Sequence, residues 1–181
     1  MSHIYWKWDK AISKKQCDLI IESIDWETKQ EATVLANGFN QIDSKKRKTD
    51  IVWESGLSVV GCIADRYIRA ANELAGWNFD LTWTDKIQVG KYRDGGFYDW
   101  HRDISFENVG ENPRKLSFSL LLNDPKDFEG GNFEFKDLPD QPILEQGSII
   151  VFNSFVEHRV TPVTKGSRYS AVTWMHGPKF K

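Results

Sequence analysis

The chain holds four histidines, His3, His101, His158 and His176, and one of them opens the triplet His101-Arg102-Asp103. In an extended segment, residues i and i+2 project to the same face, so an imidazole nitrogen and a carboxylate oxygen can meet at one point. A second imidazole would complete a facial set that leaves three adjacent positions of an octahedral metal open. The triplet alone also suits a surface turn closed by a hydrogen-bonded pair. Downstream, His158 precedes Pro162 and Gly166, and Arg168 follows it by ten residues. A hairpin returning from His158 would bring Arg168 back near the metal position, displaced along the sheet. A fixed guanidinium there suits a carboxylate, which it grips through a planar two-pronged fork. Arg168 taken by itself reads more readily as one half of a structural salt bridge.

These residues need a scaffold. The first third reads as helical. Ser13-Lys14-Lys15-Gln16 has the capping-box pattern, and Cys17, Ile20, Ile21 and Ile24 follow on one helix face. A second apolar stripe runs Leu57, Val60, Ile63, Ala64, Tyr67, Ile68, Ala71 and Leu74, with Gly76 placed to end it. Helices are therefore expected at about 14–25 and 56–75. The basic run between them, Asp43 to Asp50, could touch an anion, but it reads first as a solvated loop neutralised by its flanking aspartates. From about residue 80, short strands alternate with turns: Ile87 and Val89, Leu116 to Leu122, Phe133 and Phe135, Ser148 to Phe152, and Arg168 to Met175. Helices followed by strands indicate an α+β chain with helices buttressing a sandwich or barrel. The glycines from Gly90 to Gly96 lack the following helix that a phosphate loop requires.

Composition removes several classes. With 181 residues the chain is one domain's worth. A net charge of −2 gives no strong nucleic-acid signal. No apolar run approaches a membrane span, and the first residues lack the pattern of a signal peptide. Two cysteines, Cys17 and Cys62, exclude a disulfide scaffold and fit a cytoplasmic setting. Both fall on helical stretches and are expected in or near the core.

From about Arg47 to Trp174 the sequence resembles the Fe(II)/2-oxoglutarate-dependent dioxygenases, specifically the prolyl 4-hydroxylase-like branch. The residues that carry the likeness are His101-x-Asp103, then His158 with Val160, Pro162-Val163, Gly166-Ser167-Arg168 and Trp174. Upstream, Gln88 to Tyr98 resembles the tyrosine-glycine segment that leads into His-x-Asp, and Gly130-Gly131-Asn132-Phe133 the glycine pair opening a later strand. Arg47 to Trp53 matches a weaker signature. The resemblance implies a double-stranded β-helix (a jelly-roll, cupin-like core) at about 80–176, with helical support at about 1–78 packed on the larger sheet, all in a single domain over 1–181. It implies that His101, Asp103 and His158 bind Fe(II), that Arg168 holds the far carboxylate of 2-oxoglutarate, and that O2 is consumed, with ascorbate (L-ascorbic acid) as reductant. Asp103 fills the metal position a halide would need, which favours hydroxylation over halogenation.

One departure stands out. Some members carry a tyrosine donor to 2-oxoglutarate on the strand after His-x-Asp, where this chain has Leu121. Tyr92 is the expected substitute, with Thr173 as the second choice. Trp100, Phe97, Tyr98 and Trp174 are expected either to wall a substrate site or to pack the core. Trp77 and Trp83 are expected in the core, and His3 and His176 on the surface. Ile104 to Pro113 is a candidate lid, which favours a peptidyl-proline substrate. The alternatives are the same chemistry on a free amino acid or other small molecule, and a non-catalytic β-helix binding module.

Overall fold

The computed structural model of the chain describes residues 3–36, 39–104 and 112–179. Of the candidate lid Ile104 to Pro113, residues 105–111 lie outside the described residues. In chain order the strands are β1 (Tyr5–Trp8), β2 (Gln30–Glu31), β3 (Val34–Ala36), β4 (Phe39–Gln41), β5 (Arg47–Lys48), β6 (Asp50–Glu54), β7 (Ile87–Arg93), β8 (Phe97–His101), β9 (Arg114–Leu121), β10 (Phe128–Gly130), β11 (Phe133–Phe135), β12 (Ile149–Asn153), β13 (His158–Val160) and β14 (Val163–His176). The larger sheet runs β1-β12-β9-β14-β7-β6-β2, with β10 paired to the start of β14. The smaller runs β11-β13-β8-β5, and β3 pairs with β4 alone. The two antiparallel sheets close on one another as a double-stranded β-helix.

Period-two alternation gives the larger sheet two different faces. Ile87 and Val89 of β7, Leu116, Phe118 and Leu120 of β9, Ile149 and Val151 of β12, and Ala171 and Met175 of β14 share one apolar cluster with the helices. Their neighbours Tyr92, Ile150 and Phe152 turn the other way and pack against Phe133, Phe135 and Val160 of the smaller sheet.

The helices are α1 (Lys14–Ser23) and α2 (Val59–Leu74). The Ser13–Gln16 capping box forms as expected, while Ile24 adopts extended backbone and stops α1 short of residue 25. Ser58 caps α2 through the Gly61 amide, so Leu57 falls outside the helix and is 89% exposed; Leu74 is also exposed. The centre of the stripe, Val60, Ala64, Ile68 and Ala71, lies flat on the larger sheet.

Four expectations are corrected. The first 78 residues are not merely helical support, because β1 to β6 lie there, and β1 and β6 extend the larger sheet beside β12 and β7. Those strands are short and gain their pairing from segments far along the chain. Cys62 is exposed on the outer side of α2, although Cys17 is buried, where desolvation raises its thiol to about 11. Trp83 is 48% exposed, lying against the His176 ring rather than in the core. The run Asp43–Asp50 is not all solvated: it contains β5 and the start of β6, and Arg47 is buried.

Candidate active site

His101 ends β8 and His158 opens β13, and the register sets the two histidines directly opposite one another. From His158 to Val160 the β13 strand advances two residues while β8 runs three, from His101 back to Tyr98. This bulge breaks the simple alternation of β8. It brings the Tyr98 ring onto the same side as His101, with ring centroids 3.4 Å apart. Asp103 follows in the turn after β8, where its amide donates to the Ser154 carbonyl.

The ligand-bearing atoms of His101, Asp103 and His158 all lie within 4.8 Å of one another. His101 Nε2 is 3.6 Å from Asp103 Oδ1, and His158 Nε2 is 3.5 Å from Asp103 Oδ2. On the far side of each ring, Nδ1 donates to a backbone carbonyl: His101 to Asp99 at 2.8 Å and His158 to Val156 at 3.0 Å. That fixes the tautomer and leaves both Nε2 lone pairs facing the carboxylate, the arrangement that orients histidines as metal ligands. Ser117 Oγ donates to Asp103 Oδ2 at 2.7 Å and contacts Ser154 Oγ at 2.9 Å. Burial pushes the His101 imidazole down to about 3, aided by the neighbouring His158. Burial alone would raise the Asp103 carboxyl, but the two imidazoles and the Ser117 hydroxyl outweigh it and hold it below the usual range. A neutral imidazole and an ionised carboxylate are the states a divalent metal binds.

The cluster opens into a cavity of about 700 Å³ between the sheets. Alternation on β14 sends Arg168, Ser170, Val172 and Trp174 into it, and on β7 Gln88 and Tyr92. Arg168 is 2% exposed, and Nη1 donates to Ser170 Oγ at 2.9 Å. Desolvation lowers its pKa. None of the ion pairs among the described residues includes it. A buried cation without a counter-charge is costly, so this one is prepared for an anion. Gly131 makes room for it: φ is +62°, and a Cβ there would stand 3.0 Å from Arg168 Cδ.

The other expected residues divide. Tyr92 pairs in register with Arg168, its ring 5.5 Å from the guanidinium carbon. Leu121 is buried on the neighbouring strand, in register with Ser170. Thr173 is corrected as a candidate ligand. It lies an odd number of positions from Arg168, faces away from the cavity, and its hydroxyl is 3.1 Å from the Asp85 and Lys86 carbonyls it can donate to. Trp100, Tyr98 and Trp174 all line the cavity. Arg159 stacks on Trp100 at 4.5 Å and Arg114 on Trp174 at 3.7 Å. Arg102 points outward to Glu157, as its place between His101 and Asp103 requires. His3 is exposed, but His176 is not a loose surface group: its ring nitrogens meet Asp85 Oδ2 at 3.1 Å and the Asn112 carbonyl at 2.8 Å.

Sequence reasoning missed Ser117, Ser170, Arg47 and Arg114. Ser117 carried a usable signal, since Leu116-Ser117-Phe118-Ser119-Leu120 alternates and places its serines opposite the apolar core. Arg114 carried none; its bonds to the Asp103 carbonyl and to Asp85 are tertiary.

The sequence profile of the 2OG-Fe(II) oxygenase superfamily matches residues 87–176. A PKHD-type hydroxylase of Idiomarina loihiensis is 36% identical over 92 residues, 50% of this chain and 41% of that protein. One from Maricaulis maris is 37% identical over 93 residues, again 50% and 41%. The matched region thus spans about two fifths of these relatives' length. Among solved structures, a viral collagen prolyl hydroxylase from Paramecium Bursaria Chlorella virus-1, crystallised with 2OG, superposes with a TM-score of 0.76 at 19% identity, covering 97% of each chain. A Pseudomonas putida prolyl-4-hydroxylase gives 0.72 at 21% identity, covering 98% of this chain and 95% of the other.

Proposed function

We propose that the chain, whose residues 87–176 match the 2OG-Fe(II) oxygenase superfamily, is an Fe(II)- and 2-oxoglutarate-dependent dioxygenase that hydroxylates an unactivated C–H bond, with a prolyl residue of a peptide or protein as the substrate. One observation carries this reading: a His-Asp-His cluster and a buried, uncompensated arginine face the same cavity. A binding module without catalysis would have no use for that pairing. The prolyl substrate is supported by the structural neighbours, among them a Trichoplax adhaerens prolyl hydroxylase in complex with a hypoxia inducible factor peptide fragment.

In this reading His101, Asp103 and His158 hold the iron, and the donor set of two imidazoles and one carboxylate fits it. When bound, iron with 2-oxoglutarate, O2 and ascorbate as reductant supplies the oxidising chemistry, releasing succinate and CO2. The chain's own residues do the rest. The carbonyl acceptors at Asp99 and Val156 fix the imidazole orientations, and Ser117 steadies the carboxylate. Arg168, oriented by Ser170, takes the far carboxylate of 2-oxoglutarate, and the Tyr92 phenol supplies the donor that Leu121 cannot. Trp100, Tyr98 and Trp174 wall the substrate and exclude water from the reacting atoms. The free cysteines support a cytoplasmic setting, and no described helix is long and apolar enough to cross a membrane.

The test is anaerobic titration with Fe(II) and then 2-oxoglutarate, followed by O2 and a panel of proline peptides read by mass. Development of the visible iron–2-oxoglutarate charge-transfer band and a gain of one oxygen on peptide are expected. Absence of the band in a folded, iron-loaded sample would overturn the assignment.

A further inference from the structure

The cavity contains a second buried cation that the proposed chemistry leaves without a task. Arg47 is 4% exposed and lines the cavity with the histidine cluster and Arg168. The β5–β8 register places it opposite Tyr98, and its guanidinium carbon lies 4.4 Å from the centre of that ring. Tyr98 in turn stacks on His101, so Arg47 is one aromatic layer removed from the cluster. Its hydrogen bonding is meagre. Nη1 reaches the Thr33 carbonyl at 3.4 Å, the outer limit of such a bond, and the buried Nε has no partner among the described residues.

None of the ion pairs among the described residues includes Arg47. Asp50 pairs with Lys29 and Arg93, and Asp103 lies between the histidines. Asp43 and Asp99 also line the cavity, but among the described residues neither forms an ion pair with Arg47. The Tyr98 face offers partial compensation, which answers neither the orphaned Nε–H nor the full charge. A neutral carbonyl would satisfy the hydrogen and leave the charge. A carboxylate satisfies both through the guanidinium fork. Two buried cations in one cavity call for two anions, and 2-oxoglutarate supplies only the one for Arg168.

Resting on the reading above, we infer that the primary substrate carries a carboxylate and that Arg47 receives it. The carboxylate belongs either to a free α-carboxyl group or to an acidic side chain beside the modified residue in a peptide. Substrate choice then lies in the smaller sheet, at the β5–β8 pair, apart from the 2-oxoglutarate site on β14.

The experiment uses the Zn(II)-loaded protein saturated with 2-oxoglutarate, which binds without turning over, and calorimetric titration with matched probes. N-acetylproline against N-acetylprolinamide tests a free carboxyl group. End-capped Glu-Pro-Gly against end-capped Gln-Pro-Gly tests an acidic side chain. One acid is expected to bind at least tenfold more tightly than its neutral twin, and the pair that shows it identifies the source. Arg47→Gln should abolish the preference while 2-oxoglutarate affinity stays within twofold. Arg47→Lys, which keeps the charge without the fork and serves if the Gln variant does not fold, should weaken the acid at least threefold. Equal or absent binding of both acids relative to their twins, or a preference that survives Arg47→Gln or is unchanged in Arg47→Lys, overturns the inference. Failure of 2-oxoglutarate itself to bind the loaded wild type overturns the dioxygenase reading and this inference with it, whereas loss of the acid preference with 2-oxoglutarate bound overturns this inference alone.

Discussion

The larger sheet meets two different environments through the same strands. On its outer face Leu116, Phe118, Leu120, Ile149 and Val151 press against α1 and α2, and every one is buried among apolar neighbours. On its inner face, beside the apolar patch of Tyr92, Ile150 and Phe152, the intervening positions of β9 and β14 include Ser117, Ser119, Arg168 and Ser170, also buried, but polar or charged. The outer face is a source of stability, because apolar area removed from water there is matched by close packing. The inner face has its own apolar patch, but beside it lies a cation without a counter-ion among the described residues, and ligands that bind there add stability. Stability and chemistry are thus separated by a single step along each strand, and a substitution should disturb one or the other according to its parity.

The largest effect should come from the cluster. Asp103→Ala or His101→Ala removes a ligand to the metal and should abolish Fe(II) binding or reduce it severely in anaerobic titration, while thermal unfolding of the metal-free protein changes little. Unaltered iron affinity in both variants would break the comparison at its centre. Phe118→Ala on the opposite face should do the reverse. A fully buried phenylalanine truncated to alanine costs about 3–5 kcal/mol, visible in urea unfolding, with iron affinity retained in the folded fraction.

Arg168→Ala should weaken 2-oxoglutarate binding by roughly 2–5 kcal/mol, on the order of 30-fold or more in affinity, and leave iron binding nearly intact. Its effect on the ligand-free fold should be small or stabilising, since the variant no longer buries an uncompensated charge. An unchanged 2-oxoglutarate dissociation constant would mean that another cation holds the carboxylate. The smallest effect belongs to Tyr92→Phe, which removes one oxygen and should cost about 1.5–3 kcal/mol in 2-oxoglutarate binding. A co-substrate complex with the Tyr92 hydroxyl far from every 2-oxoglutarate oxygen would confine the site to Arg168 and Ser170.

What could be read from the sequence follows the range of the interactions involved. His101 and Asp103 are two residues apart, so their convergence is local. The hairpin expected between His158 and Arg168 does not form: the chain crosses from the smaller sheet to the larger, β13 pairing with β8 and β11 and β14 with β7 and β9, and cross-sheet closure brings Arg168 to the cavity. The double-stranded β-helix is implied by the family resemblance, whereas strand spacing alone indicates only a sandwich or barrel. Thr173 shows where a local rule was available and went unused, because its odd offset from Arg168 already placed it on the helix side. Arg47 shows where no local rule existed. Its burial follows from pairing with Tyr98, 51 residues away, and charge patterning alone read its surroundings as solvent. The same holds for β1, whose partner β12 lies at the other end of the chain, and for Trp83, whose stacking partner is His176.

The pairing of β1 with β12 also bears on aggregation. Residues Tyr5–Trp8 cover the outer edge of a strand that reads Ile149-Ile150-Val151-Phe152, an uncharged, β-branched and aromatic run. Lys7 lies across that cover, bonded to the Ile143 carbonyl and paired with Asp9. A chain shortened to begin at Asp9 would keep its cavity and its cluster, but it would present β12 as an open edge with unpaired amides and carbonyls beside an apolar surface. Such an edge is a template for a strand from another molecule. The few residues ahead of the first helix therefore act as a guard on the sheet, and their loss would appear as association between chains before it appeared as any defect in chemistry.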